Sequence, residues 1–356
     1  MKKILLFLLI VLSLILISEA GNLQKAGKIK KNIITSFDAN FSYPTIGDIQ
    51  NDKVYIFDLS RNDSSVSIYS IKNPELISKF GKKGRGPGEF LWITAIKAYN
   101  DKIWVQGAYK NDLFDKNGKL LKEIKNPPRS ICYPMDNNRL VCSEKSFSKK
   151  GELIIKYFTY NTEDSKRVKL YEFSHKTGQW KTPEGKIKDM VYFVMPMVRV
   201  DEKNRRIIIG TPHKGLFFKF YDFAGKHIKD IKIIYEKNIM SEKIKKEYFK
   251  YLKSIMSEKE FNNSQKRFKY IFPKRYPPYS DFVISNGKIY VYANPIIDGK
   301  QKIMVIQKGK IIKETTVPAR IFDNPEIRFY IKNGIYYYLE FNDNAEKWDI
   351  YSIKID

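Results

Sequence analysis

The stretch Phe80–Phe90, FGKKGRGPGEF, combines residue types that could bind a phosphate. It contains four glycines, and Lys82, Lys83 and Arg85 stand among them. Glycine-rich loops cradle anions because their backbone N–H groups can approach without obstruction by side chains. The spacing fits neither G-x-x-x-x-G-K-[ST] nor G-x-G-x-x-G, and a strand pattern rather than a helix follows it. We therefore predict a corner between two structural elements, with the three cationic side chains available to a ligand.

Histidine and serine residues show no catalytic spacing. The three histidines, His175, His213 and His227, lie far apart in the sequence and form neither an H-E-x-x-H motif nor an i,i+4 pair. The chain also contains no G-x-S-x-G motif, the strained turn that presents a nucleophilic serine in many hydrolases. We therefore predict no catalytic residues, no metal ligands and no cofactor. This pattern favours a binding protein over an enzyme.

The two cysteines, Cys132 and Cys142, flank the turn-like segment PMDNNRL. Both lie five residues from Asn137, so a hairpin centred there would place them opposite each other. Two interpretations stay open at this point. The pair forms a disulfide, which an exported chain allows, or it consists of two small buried thiols.

The N-terminal segment MKKILLFLLIVLSLILISEAG predicts a signal peptide. Two lysines precede an apolar run that is short for a membrane span, and small residues stand before a cleavage point after Ala20. We predict that residues 1–20 are removed and that the mature protein is periplasmic or extracellular, with no stable membrane span. An uncleaved signal anchor is the alternative.

The chain is strongly basic, with 65 Lys and Arg residues against 39 Asp and Glu residues and a formal net charge of +26. Such a charge favours an anionic partner. The alternative is lysine enrichment spread over a solvated surface, since blocks of like charge are few. Because the chain is predicted to be exported, we expect no nucleic acid; the predicted partners are an anionic glycan, an acidic peptide or a protein.

A hairpin unit recurs six times along the chain. Each copy has an alternating apolar strand, a polar turn with Asn, and a second strand rich in Ile, Val and Tyr; most copies precede another hairpin. Four local antiparallel strands in each of six units predict an all-β six-bladed β-propeller over residues 21–356, a single domain. The last unit is one strand short. We predict that the N-terminal segment KIKKNIITSF closes this last blade. The six copies begin at Ile46, Ile93, Cys132, Val198, Asp281 and Ile327.

Part of the repeat resembles a known family. FGKKGRGPGEF with the following ITAIKAYNDKIWV resembles the blade junction of NHL-type repeats, and DKNGKLLKEI and DFAGKHIKDI are similar to the exported bacterial six-bladed propellers called TolB-like. The resemblance spans about residues 40–356 and implies an exported propeller. It departs from the NHL pattern at Leu91 and Trp92, where a proline is usual. Only Asp58 keeps the aspartate that often ends the second strand.

Related six-bladed lactonases and hydrolases bind calcium in the central channel through acidic residues and asparagine of the inner strands. Asp48, Asp281 and Glu326 fall near the predicted inner strands of this chain. Acidic residues at these positions supply the alternative function, a propeller hydrolase or lyase with a calcium-type metal in its channel. The other interpretation is that two or three acidic groups among six blades occur by chance.

Three unusual segments connect one predicted blade to the next: Gly81–Glu89, Ser174–Met195 and Glu236–Tyr279. In a propeller such connections share one face. The third segment predicts a helical insertion between blades 4 and 5, residues 236–279, with a first helix in SEKIKKEYFKYLKSIM and a second one through about Tyr270. The insertion either caps the ring or docks a partner. The predicted ligand-binding residues are Lys82, Lys83, Arg85, His175, Trp180, Arg275 and Tyr276.

Overall fold

The structure is a computed structural model, and it forms an all-β six-bladed propeller with two short helices in its described part. The residues that it describes are 32–38, 41, 44–59, 63–73, 75–99, 101–149, 152–176, 187–190, 194–235, 239–297, 300–318 and 330–356. The predicted signal peptide, Trp180 and Glu326 lie outside these ranges.

Each blade is a four-stranded antiparallel sheet, and in blades 1 to 5 the strands follow chain order from the axis outwards. Blade 1 contains β2 (Pro44–Gln50), β3 (Lys53–Asp58), β4 (Val66–Ser70) and β5 (Leu76–Phe80). Blade 2 contains β8 (Ile93–Tyr99), β9 (Lys102–Gly107), β10 (Lys110–Asp115) and β11 (Leu120–Lys125). Blade 3 contains β12 (Ser130–Pro134), β13 (Arg139–Phe147), β14 (Glu152–Asn161) and β15 (Arg167–Lys176).

The second half of the ring repeats this order. Blade 4 contains β17 (Met197–Asp201), β18 (Arg206–Gly210), β19 (Leu216–Asp222) and β20 (His227–Ile233). Blade 5 contains β22 (Tyr279–Ser285), β23 (Lys288–Ala293), β24 (Lys300–Gln307) and β25 (Lys310–Pro318). Blade 6 contains β26 (Tyr330–Lys332), β27 (Ile335–Asn342) and β28 (Lys347–Lys354), and β1 (Asn32–Asp38) is its fourth strand, antiparallel to β28.

The turns between the two inner strands of a blade have the backbone that their sequence predicts. Asn333 and Gly334 both adopt positive φ, 52° and 73°, and Asn286 and Gly287 adopt 49° and 72°. A two-residue type I′ turn requires positive φ at both central positions, which Asn and Gly tolerate best. These hairpin predictions are confirmed.

The apolar core is divided into six clusters, one between each pair of neighbouring blades in the described part of the ring. Every cluster combines buried side chains from two successive blades, as the alternation of each strand requires. In ring order, representative pairs are Phe57 with Phe114, Trp104 with Phe158, Tyr157 with Ile207, Phe218 with Phe282, Tyr290 with Tyr336, and Trp348 with Ile46.

A disulfide joins the two cysteines within blade 3. Cys132 on β12 and Cys142 on β13 are direct cross-strand partners with their Cα atoms 4.1 Å apart. Both are fully buried in the cluster between blades 2 and 3. The structure therefore contains the disulfide and not the pair of buried thiols.

The chain between β20 and β22 contains both helices. Helix α1 (Glu242–Ile255) begins after Ser241, whose side chain accepts from the Ile244 N–H; α2 (Glu258–Arg267) begins with a capping box between Ser257 and Glu260. Neither described helix is long and apolar enough to cross a membrane.

The prediction that the second helix continues to about Tyr270 is wrong. Residues Phe268–Ile271 form a short strand, β21, which pairs in parallel with β16 (Ile187–Met190). In FKYI the half-buried Phe268 and Tyr270 alternate with the exposed Lys269 and Ile271, which is the period of a strand, and pairing with β16 stabilises the extended backbone.

Phe37 on β1 should make a large contribution to stability, because it connects blade 6 to blade 1. It is 3% exposed, and its ring lies 5.1 Å from that of Tyr69. Phe37→Ala should lower the free energy of unfolding by about 3–5 kcal/mol. Ile33→Ala, at a 57% exposed position of the same strand, is the matched control and should change it by less than about 1 kcal/mol. Urea unfolding measures both, and equal losses would contradict the role of Phe37.

Candidate functional site

The topology places two kinds of connection at one end of the ring. Connections from the outer strand of one blade to the inner strand of the next emerge there, together with the links between the two middle strands of each blade. We call this end the connection face; the tight hairpin turns occupy the opposite end. The glycine-rich stretch and both helices belong to the connection face.

The glycine-rich stretch holds an anion, and that anion belongs to the chain itself. The Glu89 carboxylate accepts a hydrogen bond from the Gly86 N–H at 2.9 Å. It also forms an ion pair with Lys82 at 3.1 Å. A Cβ on Gly84 would stand 2.0 Å from Glu89 Oε2, so the carboxylate fills the space that a side chain at position 84 would need. The Gly86 N–H and then Lys82 lower the pKa of Glu89.

A buried lysine fixes the same loop from below. Lys110 Nζ, on a side chain only 12% exposed, donates to the Gly86 carbonyl at 2.7 Å and contacts Glu123 at 2.6 Å and Asp112 at 3.0 Å. Asp112 in turn accepts from the Gly88 N–H at 3.1 Å. Burial raises the pKa of the fully buried Asp112, against the lowering effect of Lys110. One ammonium group thus ties the loop to two strands of blade 2.

The sequence-predicted cations of this loop therefore divide into two groups. Lys82 is engaged with Glu89, whereas Lys83 and Arg85 are exposed on the connection face. Lys82 and Lys83 form a short strand, β6, parallel to β7 (Glu89–Phe90). The backbone N–H of Gly86 is already occupied, so only the side chains face outwards.

The two long insertions form one platform. β16 comes from the connection between blades 3 and 4, and β21 comes from the connection between blades 4 and 5; their parallel pairing joins them. Beneath α1, Tyr248 lies 5.6 Å from Phe272 and Phe249 lies 5.4 Å from Tyr270, ring centre to ring centre. This aromatic cluster is the small core of the insertion.

The solvent side of the insertion is densely basic. Of its four described glutamates, Glu242 pairs with Lys245 at 2.6 Å and Glu260 caps α2, so two are engaged locally. Ten cationic side chains of residues 239–278 are exposed: Lys243, Lys246, Lys250, Lys253, Lys259, Lys266, Arg267, Lys269, Lys274 and Arg275.

Two histidines that are distant in sequence meet at the interface of blades 3 and 4. The rings of His175 on β15 and His213 lie 6.2 Å and 4.7 Å from the ring of Phe173. Burial, followed by Lys214 and His175, lowers the pKa of His213 to about 4. His213 is therefore neutral at physiological pH, and sequence spacing gave no sign that it approaches His175.

The other predicted binding residues differ in accessibility. Arg275 is exposed and forms a backbone bridge with Ile239, whereas Tyr276 is only 8% exposed. Burial and then Tyr235 raise the pKa of Tyr276. Arg275 can meet a ligand directly; Tyr276 supports the chain beneath it.

The axis of the propeller has its own polar contacts. Asp48 on inner strand β2 is 3% exposed and accepts from the Ala98 N–H at 2.8 Å, from Lys332 Nζ at 2.9 Å and from the Tyr330 hydroxyl. Burial and then the Asp48 carboxylate raise the pKa of Tyr330 well above its ordinary value. This single carboxylate links blade 1 to blade 2 through Ala98 and to blade 6 through Tyr330 and Lys332.

Two further ion pairs join inner strands or their turns. Arg199 on β17 donates to Asp281 on β22 and to the Phe282 carbonyl, and Lys97 on β8 pairs with Glu202 beside β17. Asp48 and Asp281, the two described acidic residues considered for calcium, are therefore held by cationic partners. Within the described ranges, no group of three or more His, Cys, Asp or Glu side chains is arranged to hold a metal ion.

Comparison with known proteins supports the fold. A family model described as TolB-like 6-blade propeller-like matches residues 25–158. No curated protein matches the chain in sequence.

Solved structures with similar folds share little sequence with this chain. BamB from Moraxella catarrhalis is 9% identical, with 85% of this chain and 70% of that chain covered and a TM-score of 0.31. Hsv2 of Kluyveromyces lactis is 10% identical, with 90% and 97% covered and a TM-score of 0.32. AztD of Citrobacter koseri is 9% identical, with 75% and 69% covered and a TM-score of 0.30.

The Glu89 carboxylate should stabilise the fold only while it is ionised. Its pKa is lowered in the folded state, so its contribution is present above its ordinary pKa of 4.5 and is lost as pH falls through the folded pKa. In urea unfolding, Glu89→Gln should be less stable than the wild type at about pH 7, and the difference should shrink between about pH 5 and about pH 3. If the difference in stability between Glu89→Gln and the wild type stayed constant over this range, the loop would not be stabilised by an ionised carboxylate.

Calcium should not stabilise the protein, because Asp48 and Asp281 are already paired with Lys332 and Arg199. If a calcium site existed, Ca²⁺ at 100 times the dissociation constant would increase the free energy of unfolding by about 2.7 kcal/mol and raise the melting temperature. We expect the same melting temperature in EDTA and in millimolar CaCl₂. A rise of several degrees with Ca²⁺ but not with Mg²⁺ would favour the hydrolase or lyase hypothesis instead.

Proposed function

We propose that this chain is an exported β-propeller that binds an anionic ligand on its connection face. The observation that carries the proposal is the insertion platform, where ten exposed cations accompany four glutamates, two of them engaged locally. Lys83 and Arg85 add exposed cations at the corner between blades 1 and 2. Charge of one sign gathered on one face raises the local concentration of an anion and speeds its association.

The bound ligand in this proposal is an anionic glycan, an acidic peptide or an acidic protein. Many weak contacts then act together, because one exposed ion pair contributes only about 0–1 kcal/mol. Of the other predicted ligand-binding residues, Arg275 and Trp180 contact the ligand in this proposal, whereas Lys82, His175 and Tyr276 have supporting roles. Neither a cofactor nor nucleic acid takes part.

Export is part of the proposal and rests on the N-terminal sequence. Residues 1–20 carry the basic, apolar and small-residue pattern of a cleaved signal peptide. The disulfide of blade 3 suits an oxidising compartment such as the periplasm or the cell exterior. The same proposal includes a relation to NHL-type propellers. It also includes a single domain over residues 21–356, which β1 closes and the helical insertion extends.

Binding through the connection face should depend on salt and on position. Dextran sulfate should bind the mature chain, and the affinity should fall steeply between about 50 mM and about 500 mM NaCl as screening increases. Neutral dextran of the same length should not bind. Lys83→Gln with Arg85→Gln should weaken binding more than the control Lys116→Gln with Lys119→Gln, which removes two exposed cations from a hairpin turn at the opposite end. Titration calorimetry measures each affinity.

Two outcomes would overturn the proposal. Affinity that does not respond to salt would exclude an electrostatic face. Equal losses for the two double variants would mean that the overall charge of the chain, rather than the connection face, attracts the polymer.

A further inference from the structure

Helix α1 carries a straight row of lysines. Lys243, Lys246, Lys250 and Lys253 follow one another at intervals of three, four and three residues, and all four are exposed. With 3.6 residues per turn, these positions fall within about 80° of arc on one side of the helix. With 1.5 Å of rise per residue, the row extends about 15 Å with a charge every 4.5–6 Å or so. We call these four residues the lysine row.

The orientation of the lysine row is fixed by the opposite side of α1. Ile244 and Leu252, 9% and 7% exposed, are buried against the rest of the insertion. Tyr248 and Phe249 pack in the aromatic cluster, and the Ser241 cap defines the start of the helix. Because the apolar side cannot turn outwards, the lysine row must face solvent.

The lysine row has a carboxylate beside it, that of Glu247, four residues after Lys243 and three before Lys250, but no ion pair joins them. None of its four ammonium groups forms an ion pair with another described residue, in contrast to Lys245, which is paired with Glu242. Lys253 Nζ lies 5.2 Å from the centre of the half-buried Phe261 ring at the end of the row. A line of like charges at helical spacing is mutually repulsive. Four positive charges in a row on one exposed side of a helix fit a partner with a complementary row of negative charges.

We propose that the lysine row binds a linear acidic polysaccharide, with one carboxylate on each sugar unit, lying along α1. This inference rests on the proposed function and names its ligand class. A polyuronate presents a negative charge at every ring along an extended chain, which matches a row of charges better than a compact acidic protein does. Ammonium groups act as point charges and need no fixed bidentate geometry, so they suit carboxylates that can rotate. The Phe261 ring offers an apolar surface to a sugar at the end of the row.

The test compares two quadruple variants of equal net charge. Lys243, Lys246, Lys250 and Lys253 are changed to Gln in the first. Lys116, Lys119, Lys226 and Lys308, exposed in hairpin turns at the opposite end of the ring, are changed to Gln in the second. A third variant replaces the lysine row by Arg and keeps its charge. Circular dichroism melts check that all of them fold.

The probe is an oligogalacturonate series from one to about ten units, titrated calorimetrically at low salt. We expect the first variant to lose about tenfold or more in affinity, since four exposed contacts of a few tenths of a kcal/mol each sum to about one factor of ten. The control variant and the Arg variant should stay within about threefold of the wild type. Affinity should rise with length until the oligomer spans the row and then level off.

The outcomes separate this inference from the function on which it rests. If both Lys→Gln variants lose affinity equally, the lysine row is not the site, although binding at the Lys83 and Arg85 corner can still stand. If the wild type binds neither oligogalacturonate nor dextran sulfate, the proposed function itself fails. If duplex DNA, vesicles rich in anionic lipid or polyglutamate bind more tightly than oligogalacturonate of equal charge, the polysaccharide assignment is overturned.

Discussion

The propeller depends on apolar contact between neighbouring blades, because a single four-stranded sheet has no interior of its own. Each of the six clusters combines side chains of two neighbouring blades, so every sheet is stabilised on both faces only when the ring is complete. The contact between Trp348 of blade 6 and the residues of β2 in blade 1 completes the circuit. Polar and charged side chains are therefore confined to the axis, the two ends and the outer edges of the ring.

This confinement explains why the charged groups of the chain fall into two populations. Near the axis, carboxylates and cations stand in mutual contact, as Asp48 with Lys332 and Asp281 with Arg199, because desolvated charge is tolerated only when it is paired. At the connection face the lysines of the insertion remain in water and need no partner for folding. The first population holds blades in place, and the second is free to meet a ligand.

Local sequence patterns were sufficient for the six-bladed fold but not for the contacts of its connections. Asn-Gly turns and alternating strands are local signals, and Asn286–Gly287 and Asn333–Gly334 adopt the backbone that they encode. The pairing of β16 with β21, the meeting of His175 with His213 and the ion pair of Lys97 with Glu202 join residues far apart in the chain. No spacing rule links such positions. Glu89 is an exception, because it lies three residues from Gly86 and carries a charge opposite to that of Lys82, Lys83 and Arg85. This local pattern indicates that the loop binds its own carboxylate.

The corner that links blades 1 and 2 has a consequence for how this sequence can vary. Because the Glu89 carboxylate occupies the volume above Gly84, and Lys110 balances the charge of Asp112 and Glu123 beneath Gly86, these positions form one interdependent set. A side chain added at position 84 must displace the Glu89 carboxylate from the space above the glycine and from the Gly86 N–H. A substitution at position 84 therefore acts on the ion pair between Glu89 and Lys82 as well as on the backbone of the turn.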